Sequence, residues 1–261
     1  MAFLHCELFS NIMNMATAVN VVLPEEGNLN KVPVLMLLHG LSDNASGWSR
    51  YTACEQYARE VGCAVIMPEV QRSFYTDMVY GLPYFTYIHS ELPKMCQRMF
   101  GLSAKRELNY IAGLSMGGYG ALKCVLTYPK KYNACGSFSG VTDFRFRIGG
   151  GSDKKEDAAA PGPRRPESSE FTAILGPKLQ VKKNQDLFSL AEKVKNPPRI
   201  YLSCGDQDFL YEDNLRFEKH LSNLNIPHRF DHREGNHTWR FWDQSLQDFF
   251  DFIRREDKAE N

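Results

Sequence analysis

The pentapeptide Gly-Leu-Ser-Met-Gly at residues 113–117 constrains the fold more than any other stretch of this chain. The mostly apolar run 107–112 before it has the length and composition of a β-strand, and residues 116–127 have the spacing of a helix. Glycine at both ends allows a sharp turn, because a side chain at either position would collide with neighbouring backbone. The sequence therefore predicts a strand, a tight turn and a helix in immediate succession.

Strand and helix patterns alternate along the rest of the chain. Strands are predicted at 3–10, 15–23, 34–38, 63–67, 107–112, 134–138, 199–204 and 228–232. Helices are predicted at 48–60, 84–100, 116–127, 211–224 and 239–255, with Pro93 expected to kink the second of them. This order is typical of β-α-β units. The predicted fold is therefore α/β, with an eight-stranded, mostly parallel sheet, helices on both faces and an N-terminal antiparallel hairpin.

The chain of 261 residues is long enough to bury one sizeable core, and a single domain over 1–261 is predicted. One crossover, 141–198, is too long for a simple connection and is interpreted as a small cap inserted into the domain. Aromatic residues near its edges, Phe144, Phe146 and Phe171, suggest that it lies over the end of the sheet. Its stretch 149–169 is of low complexity and is predicted to be flexible.

Charge and cysteine content exclude several functional classes. The 31 Lys and Arg residues balance the 31 Asp and Glu residues, which argues against nucleic acid or an anionic membrane as a partner. No apolar run reaches the ~18 residues of a membrane span, and the N-terminal region lacks the basic start of a signal peptide. Seven scattered cysteines without a C-x-x-C pair predict buried, reduced thiols. Together these features predict a cytoplasmic protein.

Ser115 is the candidate nucleophile. A serine between two glycines at a strand-to-helix turn fits the nucleophile elbow of an α/β-hydrolase fold. The turn exposes the hydroxyl at a helix N-terminus, where the helix dipole and free N–H groups stabilise negative charge. The alternative is a glycine-rich turn that carries a solvent-facing serine without catalytic function.

A serine hydroxyl needs a base, and in this fold the serine, the acid and the histidine follow in that order along the chain. Four histidines follow Ser115, namely His220, His228, His232 and His237. His237 is the favoured base because it lies in the loop between the last strand and the last helix, at the carboxyl edge of the sheet. His232 is the second candidate.

Two acidic residues, Asp206 and Asp208, follow the strand 199–204. Asp208 lies later in the loop and has room to reach His237, whereas Asp206 follows the strand directly and could instead stabilise the turn. Asp208 is therefore favoured as the residue that holds the imidazole tautomer, and Asp206 stays open as the alternative.

Two backbone N–H groups are expected to bind the oxyanion of the reaction. One belongs to Met116, directly after the nucleophile, and the other to Leu41, in the loop after the third strand. Gly40 would let that loop approach closely. His39 is interpreted as a hydrogen-bonded structural residue.

Aromatic residues near these positions are candidates for contact with substrate. Phe74, Tyr75 and Tyr80 lie in one loop, and Trp239 follows the predicted base. They could line an acyl or aryl pocket, and ordinary packing is the alternative. No metal site and no cofactor are predicted, because the two histidines of strand 228–232 give no compact ligand set and nucleotide-binding fingerprints are absent.

Five stretches of the chain resemble one known group of proteins. They are 38–44 (Leu-His-Gly-Leu-Ser-Asp-Asn), 72–78 (Arg-Ser-Phe-Tyr-Thr-Asp-Met), 113–123, 205–211 and 235–239. These stretches are similar to the tributyrin esterase branch of the esterase D family, in the α/β-hydrolase superfamily, which includes feruloyl (cinnamoyl) esterases. The resemblance implies an intracellular carboxylesterase for short acyl or hydroxycinnamoyl esters, often a homo-oligomer such as a dimer or tetramer. It also implies Asp208 as the acid, because the family acid immediately precedes Phe-Leu.

Three other functions are compatible with the fold. S-formylglutathione hydrolases resemble the chain closely but typically carry a cysteine just after the oxyanion-loop leucine, where this chain has Ser42. That function therefore ranks lower. An acyltransferase would share the site, and a non-catalytic binding module would usually lose a member of the triad, whereas all three members are available here.

Overall fold

The computed structural model describes residues 1–148 and 168–257. Of the segment 149–169, predicted to be flexible, only the last two residues lie within this described part, and they begin a helix. The strands are β1 (Ala2–Ser10), β2 (Met15–Leu23), β3 (Val34–Leu38), β4 (Ala64–Pro68), β5 (Asn109–Leu114), β6 (Ala134–Phe138), β7 (Arg199–Gly205) and β8 (His228–Arg233).

These strands form one sheet in the order β1-β2-β4-β3-β5-β6-β7-β8. β2 pairs antiparallel with both β1 and β4, whereas all other neighbours are parallel. This arrangement confirms the predicted α/β-hydrolase fold, including the N-terminal hairpin. The chain leaves β3 for β4 on one side and returns to β5 on the other. The carboxyl ends of β3 and β5 therefore flank a topological switch point, where open α/β sheets bind ligands.

Helices cover both faces of the sheet. In the described residues they are α1 (Gly47–Tyr51), α2 (Cys54–Val61), α3 (Tyr84–Thr86), α4 (Leu92–Phe100), α5 (Met116–Thr127), α6 (Phe144–Ile148), α7 (Ser168–Leu175), α8 (Leu187–Ala191), α9 (Tyr211–Asn223) and α10 (Trp239–Asp257). Helix α5 directly follows β5, as the turn at 113–117 predicts. Within residues 1–148 and 168–257, every helix falls short of the length and hydropathy that a membrane span requires.

Alternate residues of the central strands contribute to two apolar cores, one on each face of the sheet. In β3, Val34, Met36 and Leu38 belong to the core that packs on α4, α5 and α9. Leu35 and Leu37 belong to the opposite core, which α2 and α10 cover. Because β3 is buried on both faces, its sequence is a continuous apolar run, and each such side chain stabilises the fold by roughly 1.5–3 kcal/mol.

The predicted helix 48–60 is two shorter helices, α1 and α2, in the structure. The chain becomes extended at Thr52, whose hydroxyl donates to the Trp48 carbonyl oxygen at 2.5 Å. The next N–H, of Ala53, donates to the Asp243 carboxylate on α10 at 3.0 Å. Hydrogen bonds to side chains thus replace helical ones at this point and end α1.

Pro93 does not kink a continuous helix over 84–100, so that prediction is corrected. The segment Tyr87–Glu91 between α3 and α4 is π-helical, and Pro93 lies in the first turn of α4. A proline there lacks only an N–H that would have no intrahelical partner. The wider π-helical turn lets the two helices follow one another without the expected break.

The described part of segment 141–198, which is predicted to be an inserted cap, contains helices α6 to α8, between β6 and β7 in the chain. The rings of Phe144 and Phe171 pack on Phe74, with centroids 4.9 and 5.8 Å away. Carbonyl groups of α7 also accept two backbone hydrogen bonds from the loop after β4, at 2.9 and 3.2 Å. The side chain of Phe146 lies outside the described part. The insertion is therefore attached to the loop after β4 by both apolar and polar contacts.

Candidate active site

Ser115 lies at the turn between β5 and α5, in a backbone conformation that non-glycine residues rarely adopt (φ 52°, ψ −115°). Its N–H donates to the Phe138 carbonyl oxygen at 2.9 Å, which fixes the turn to β6. A Cβ on Gly117 would lie 2.4 Å from the Leu38 carbonyl oxygen, and one on Gly113 would lie 2.5 Å from backbone of α5. Close approach of backbone therefore requires both glycines, as the pattern predicts.

A continuous line of hydrogen bonds joins Ser115, His237 and Asp208. The Ser115 Oγ lies 3.0 Å from His237 Nε2, and His237 Nδ1 lies 2.9 and 3.1 Å from the two carboxylate oxygens of Asp208. With Nδ1 donating to the carboxylate, Nε2 is left as the acceptor for the serine hydroxyl. The side chains belong to loops after β5, β8 and β7, so the sheet brings together Ser115 and His237, which are 122 positions apart in the chain.

Asp208 is held by more than the histidine. Its side chain has no exposed surface, and its Oδ1 also accepts the N–H of Leu210 at 2.9 Å. Asp206, the alternative acid, is exposed and accepts the N–H of Gly235 at 3.4 Å. Asp206 thus braces the loop that leads to His237, whereas Asp208 contacts the imidazole itself.

The other histidines after Ser115 have different surroundings. His228 lies 3.3 Å from a carboxylate oxygen of Glu218, and His220 lies 3.1 Å from a backbone carbonyl oxygen. His232 is exposed on β8. Of the four candidates, His237 is the one that the structure places at the serine.

The N–H groups of Leu41 and Met116 have no hydrogen-bond partner among the described residues. Met116 begins α5, so its N–H is one of the free donors of that helix. Leu41 follows β3, which is the neighbour of β5 in the sheet. The two N–H groups therefore follow the neighbouring strands β3 and β5 at the switch point, and both remain candidates to bind a negative oxygen.

His39 is buried and supports the loop that contains Leu41. Its Nδ1 donates to the Gly40 carbonyl oxygen at 2.7 Å, and its Nε2 accepts the N–H of Val70 at 3.2 Å. Both ring nitrogens are thus engaged within the protein, and Nε2 also lies 3.6 Å from a carboxylate oxygen of Glu69. The hydroxyl of Tyr75 donates to the His39 carbonyl oxygen at 3.0 Å. These contacts agree with the structural role predicted for His39.

Arg72 connects the same loop to the insertion. Its guanidinium forms a bidentate ion pair with Glu170 of α7, in which Nε contacts Oε1 and a terminal nitrogen lies 3.0 Å from Oε2. The other terminal nitrogen lies 3.4 Å from the Leu41 carbonyl oxygen. One side chain thus links a helix of the insertion to the residue whose N–H is a candidate oxyanion donor.

Lys123 of α5 is buried on the other side of this loop. Its Nζ donates to the Tyr75 carbonyl oxygen at 2.9 Å and to the Thr76 hydroxyl at 3.1 Å, and lies 4.1 Å from the ring centroid of Phe85. Burial lowers the pKa of Lys123 to about 8. Phe74 and Tyr75 have left-handed φ values of 49° and 47°, and these contacts hold that strained backbone in place.

The carboxyl group of Asp43, two residues after Leu41, is half-buried in the same loop. Burial raises the pKa of Asp43, and the neighbouring His39 and His237 act in the opposite direction. At a given pH, this carboxyl group therefore carries less negative charge than an exposed aspartate would.

The structure places the four aromatic residues predicted to contact substrate in different environments. Tyr75 is completely buried, and Phe74 is 4% exposed and packs on the insertion. Tyr80 is 63% exposed, and Trp239 is half-buried with its ring 5.4 Å from a second tryptophan. Contact of these residues with substrate stays a prediction. The side chains of Phe74 and Tyr75 pack against other residues of the protein.

Two further aromatic rings contact His237. The ring centroid of Phe209 lies 4.6 Å from the imidazole, and that of Trp242 lies 4.8 Å from it, edge-on. Trp242 also donates from Nε1 to the Ser139 hydroxyl at 3.1 Å. Phe209 directly follows Asp208 in the sequence, and this position could have indicated that its ring lies near His237. Trp242 gives no such signal, because its position on α10 is that of an ordinary core residue.

The seven cysteines are free thiols in this structure. Burial raises the pKa of Cys54 to about 11 and that of Cys63 to about 12, so both stay protonated at neutral pH. Within residues 1–148 and 168–257, no three His, Cys, Asp or Glu side chains are grouped as a metal site would require.

A family model and a curated relative match almost the whole chain. The family Esterase, described as "Putative esterase", matches residues 10–253. An acetyl esterase of Caldicellulosiruptor saccharolyticus is 26% identical over an alignment that covers 98% of this chain and 99% of that protein.

Two solved structures from Staphylococcus aureus are similar over the same length. The fluorophosphonate-binding serine hydrolase F is 34% identical with a TM-score of 0.87, and an S-formylglutathione hydrolase is 34% identical with a TM-score of 0.84. Each comparison covers 97% of this chain and 98% of the other. The chain therefore belongs to the Esterase family and is a carboxylic ester hydrolase with an α/β-hydrolase fold.

Proposed function

We propose that this protein is a serine carboxylesterase in which Ser115 is the nucleophile, His237 the general base and Asp208 the orienting acid. The observation that carries the proposal is the hydrogen-bond line from the Ser115 Oγ through His237 to the buried Asp208 carboxylate. A hydroxyl 3.0 Å from an unprotonated imidazole nitrogen can transfer its proton as it attacks a carbonyl carbon. The carboxylate keeps the other proton on Nδ1 and stabilises the imidazolium that forms.

The reaction proceeds through an acyl-enzyme. Ser115 attacks the ester carbonyl while His237 takes the serine proton, and His237 then donates that proton to the departing alcohol. Water attacks the acyl-serine with His237 again as the base, which releases the carboxylic acid. The N–H groups of Leu41 and Met116 bind the oxyanion in both steps, and one such donor typically contributes about 2.7–4 kcal/mol.

Short acyl esters are the first candidate substrates, and hydroxycinnamoyl esters are the alternative within the same reaction. An acetyl esterase similar over nearly the whole of both chains supports a short acyl group. Burial of Phe74 and Tyr75 also favours a short acyl group, because these rings are engaged in packing and offer little surface to an aryl group.

A thioester is the second candidate, because an S-formylglutathione hydrolase is 34% identical over 97% of this chain. The same nucleophile and oxyanion donors serve a thioester, since attack at the carbonyl carbon is unchanged. Ser42 stands where that group typically has cysteine, so oxygen esters remain the first candidate.

Values of kcat/KM across a substrate panel test this function. The panel comprises p-nitrophenyl esters from acetate to octanoate, methyl ferulate and S-formylglutathione. We expect acetate or butyrate to exceed octanoate by roughly tenfold or more, because an acyl pocket of fixed size discriminates by chain length. If kcat/KM is higher for methyl ferulate than for the p-nitrophenyl esters, hydroxycinnamoyl esters are the substrate class. If kcat/KM is highest for S-formylglutathione, the protein is a thioesterase. Transfer of acyl groups to an added alcohol in preference to water would identify an acyltransferase.

Replacement of Arg72 by alanine is expected to lower kcat by roughly tenfold with little change in KM. The substitution frees Leu41 from its link to Glu170, and a loosened oxyanion donor costs less than the 10²–10³-fold of a deleted one. Glu170→Gln should give a smaller loss in the same direction. The two effects should be non-additive in a double-mutant cycle on kcat, because the residues act through one contact.

Two controls separate this positioning role from general destabilisation. Arg59→Ala removes an exposed arginine on α2 and should leave kcat unchanged. Affinity for a trifluoromethyl ketone, which forms an oxyanion on Ser115, should fall with Arg72→Ala in parallel with kcat. An unchanged inhibition constant would contradict the role assigned to Arg72.

The cellular location and the assembly are further parts of the proposal. Seven free cysteines, most of them buried, support a cytoplasmic enzyme. The resemblance noted above supports a homo-oligomer, which sedimentation equilibrium would measure. We also propose that the chain is one domain with 141–198 as its cap, supported by the contacts of α7 with the loop after β4.

A further inference from the structure

A second cleft lies at the edge of the sheet opposite Ser115. Its lining includes Val34 and Asn109, the first residues of β3 and β5, whereas Ser115 follows the last residue of β5. The length of β5 therefore separates the cleft from the nucleophile by roughly 17 Å. The cleft has a volume of about 200 Å³, which suits a small organic molecule and falls below the ~300–1,000 Å³ of pockets for drug-sized ligands.

The floor of the cleft is apolar and its mouth is cationic. Met36 and Ile66 of the sheet and Leu102 of the loop before β5 are buried and form the apolar part. Lys94 of α4 and Lys131 of the turn before β6 lie at the rim and are exposed. Among the described residues that line the cleft there is no aspartate or glutamate, so no carboxylate of the lining neutralises these ammonium groups. Lys131 Nζ donates one hydrogen bond within the lining, to the His89 carbonyl oxygen at 2.5 Å.

The ammonium groups of Lys94 and Lys131 at this rim repel one another. The pKa of Lys131 is lowered by partial burial of its side chain and by the neighbouring Lys94, with Cys124 acting in the opposite direction. The pKa of His89 is lowered by burial and by Lys131, with Asp77 acting in the opposite direction. His89 also lines the cleft, and its buried Nδ1 has no hydrogen-bond partner among the described residues. An anion bound at the rim would relieve the repulsion between the two ammonium groups.

We propose that this cleft binds a small organic carboxylate with an apolar body. The carboxylate would lie at Lys94 and Lys131, and the apolar body would lie against Met36, Ile66 and Leu102. Carboxylic acids of this size are the products of ester hydrolysis, so the cleft gives the protein a second, non-catalytic site for its product class. The link to the product rests on the proposed function, whereas binding in the cleft does not.

Titration of carboxyl-¹³C-labelled hexanoate against protein with a blocked active site tests the proposal. Ser115 is first labelled with a fluorophosphonate, and complete labelling is verified by mass, so a failure of the Ser115 assignment would be detected before the titration. The line width of the carboxylate signal is then followed. We expect saturable binding of one equivalent, and no saturation up to roughly 20 mM would overturn the proposal.

Variants at the rim identify where the acid binds. Lys94→Glu should weaken hexanoate binding by roughly tenfold, since it replaces an attraction by a repulsion, while Lys130→Glu, an exposed neighbour outside the lining, should change it less than about twofold. Ala104→Trp, at an exposed lining position, should obstruct the cleft and reduce binding as well. Equal weakening by Lys94→Glu and Lys130→Glu would place the acid elsewhere and overturn the proposal.

Two ligands separate the roles of the charge and of the apolar body. Hexanol lacks the charge and inorganic phosphate lacks the apolar body, so both should bind more weakly than hexanoate. Binding of phosphate as tight as that of hexanoate would show an anion site without the proposed apolar part. Circular dichroism of each variant confirms that the fold is retained.

Discussion

Replacement of Ser115 by alanine is expected to lower kcat for p-nitrophenyl acetate by on the order of 10⁶. The variant lacks the oxygen that forms the acyl-enzyme, while the backbone donors and His237 stay in place. Residual acceleration over the uncatalysed reaction, about 10³–10⁴-fold, should therefore survive through the oxyanion donors and binding alone. Initial rates at saturating substrate measure the change.

The matched control for this variant is Ser42→Ala. Ser42 is an exposed serine in the loop that contains Leu41, and its hydroxyl is not part of the proposed triad. It should keep kcat within about twofold. A fluorophosphonate should add its mass to the peptide that contains Ser115 in the wild type and in Ser42→Ala, and to no peptide of Ser115→Ala. A Ser115→Ala variant that retains activity would refute the mechanism.

Asp208→Asn is expected to lower kcat by on the order of 10⁴ while substrate binding changes little. The asparagine amide donates a hydrogen bond where the carboxylate accepts one, so it favours the tautomer with the proton on Nε2 of His237. That nitrogen then cannot accept the serine proton. The structure predicts little disturbance of the fold, because the amide oxygen can still accept the N–H of Leu210.

Asp206→Asn is the matched control for the acid. Its side chain is exposed, and an asparagine can still accept the N–H of Gly235. The variant should keep kcat within a few-fold of the wild type, and kcat measured for both variants on one substrate decides between the two residues. A larger loss in Asp206→Asn than in Asp208→Asn would transfer the role of the acid to Asp206.

The nucleophile turn could be predicted from sequence because its causes are local. The two glycines are required by backbone contacts within 113–117 and with the end of β3, and the strand and helix around them have clear apolar periodicity. The order of Ser115, Asp208 and His237 then follows from which strand each residue succeeds. Once the strand order of the α/β-hydrolase fold is assumed, these three sequence positions are therefore predicted to lie close together.

The features that sequence did not reveal depend on partners far along the chain. The break between α1 and α2 depends on Asp243, 190 residues after Ala53. The link from Arg72 to Glu170 spans 98 residues and joins the loop after β4 to helix α7, and the sequence pattern of neither segment indicates that they meet. The sequence also does not reveal the rim of the second cleft, because Lys94 and Lys131 belong to different elements that come together only when the sheet forms. Periodicity describes one segment at a time and carries no information about such pairs.

The separation of the site residues along the chain has a consequence for refolding kinetics. The side chains and donors around Ser115 follow β3, β5, β7 and β8, which lie within a run of five neighbouring strands. Closing the long loops between these strands is slow relative to forming helices. A refolding chain can therefore regain much of its helical circular dichroism before His237 reaches the serine. Recovery of turnover should follow the slowest phase of refolding, so esterase activity would report the completion of the sheet rather than the formation of its parts.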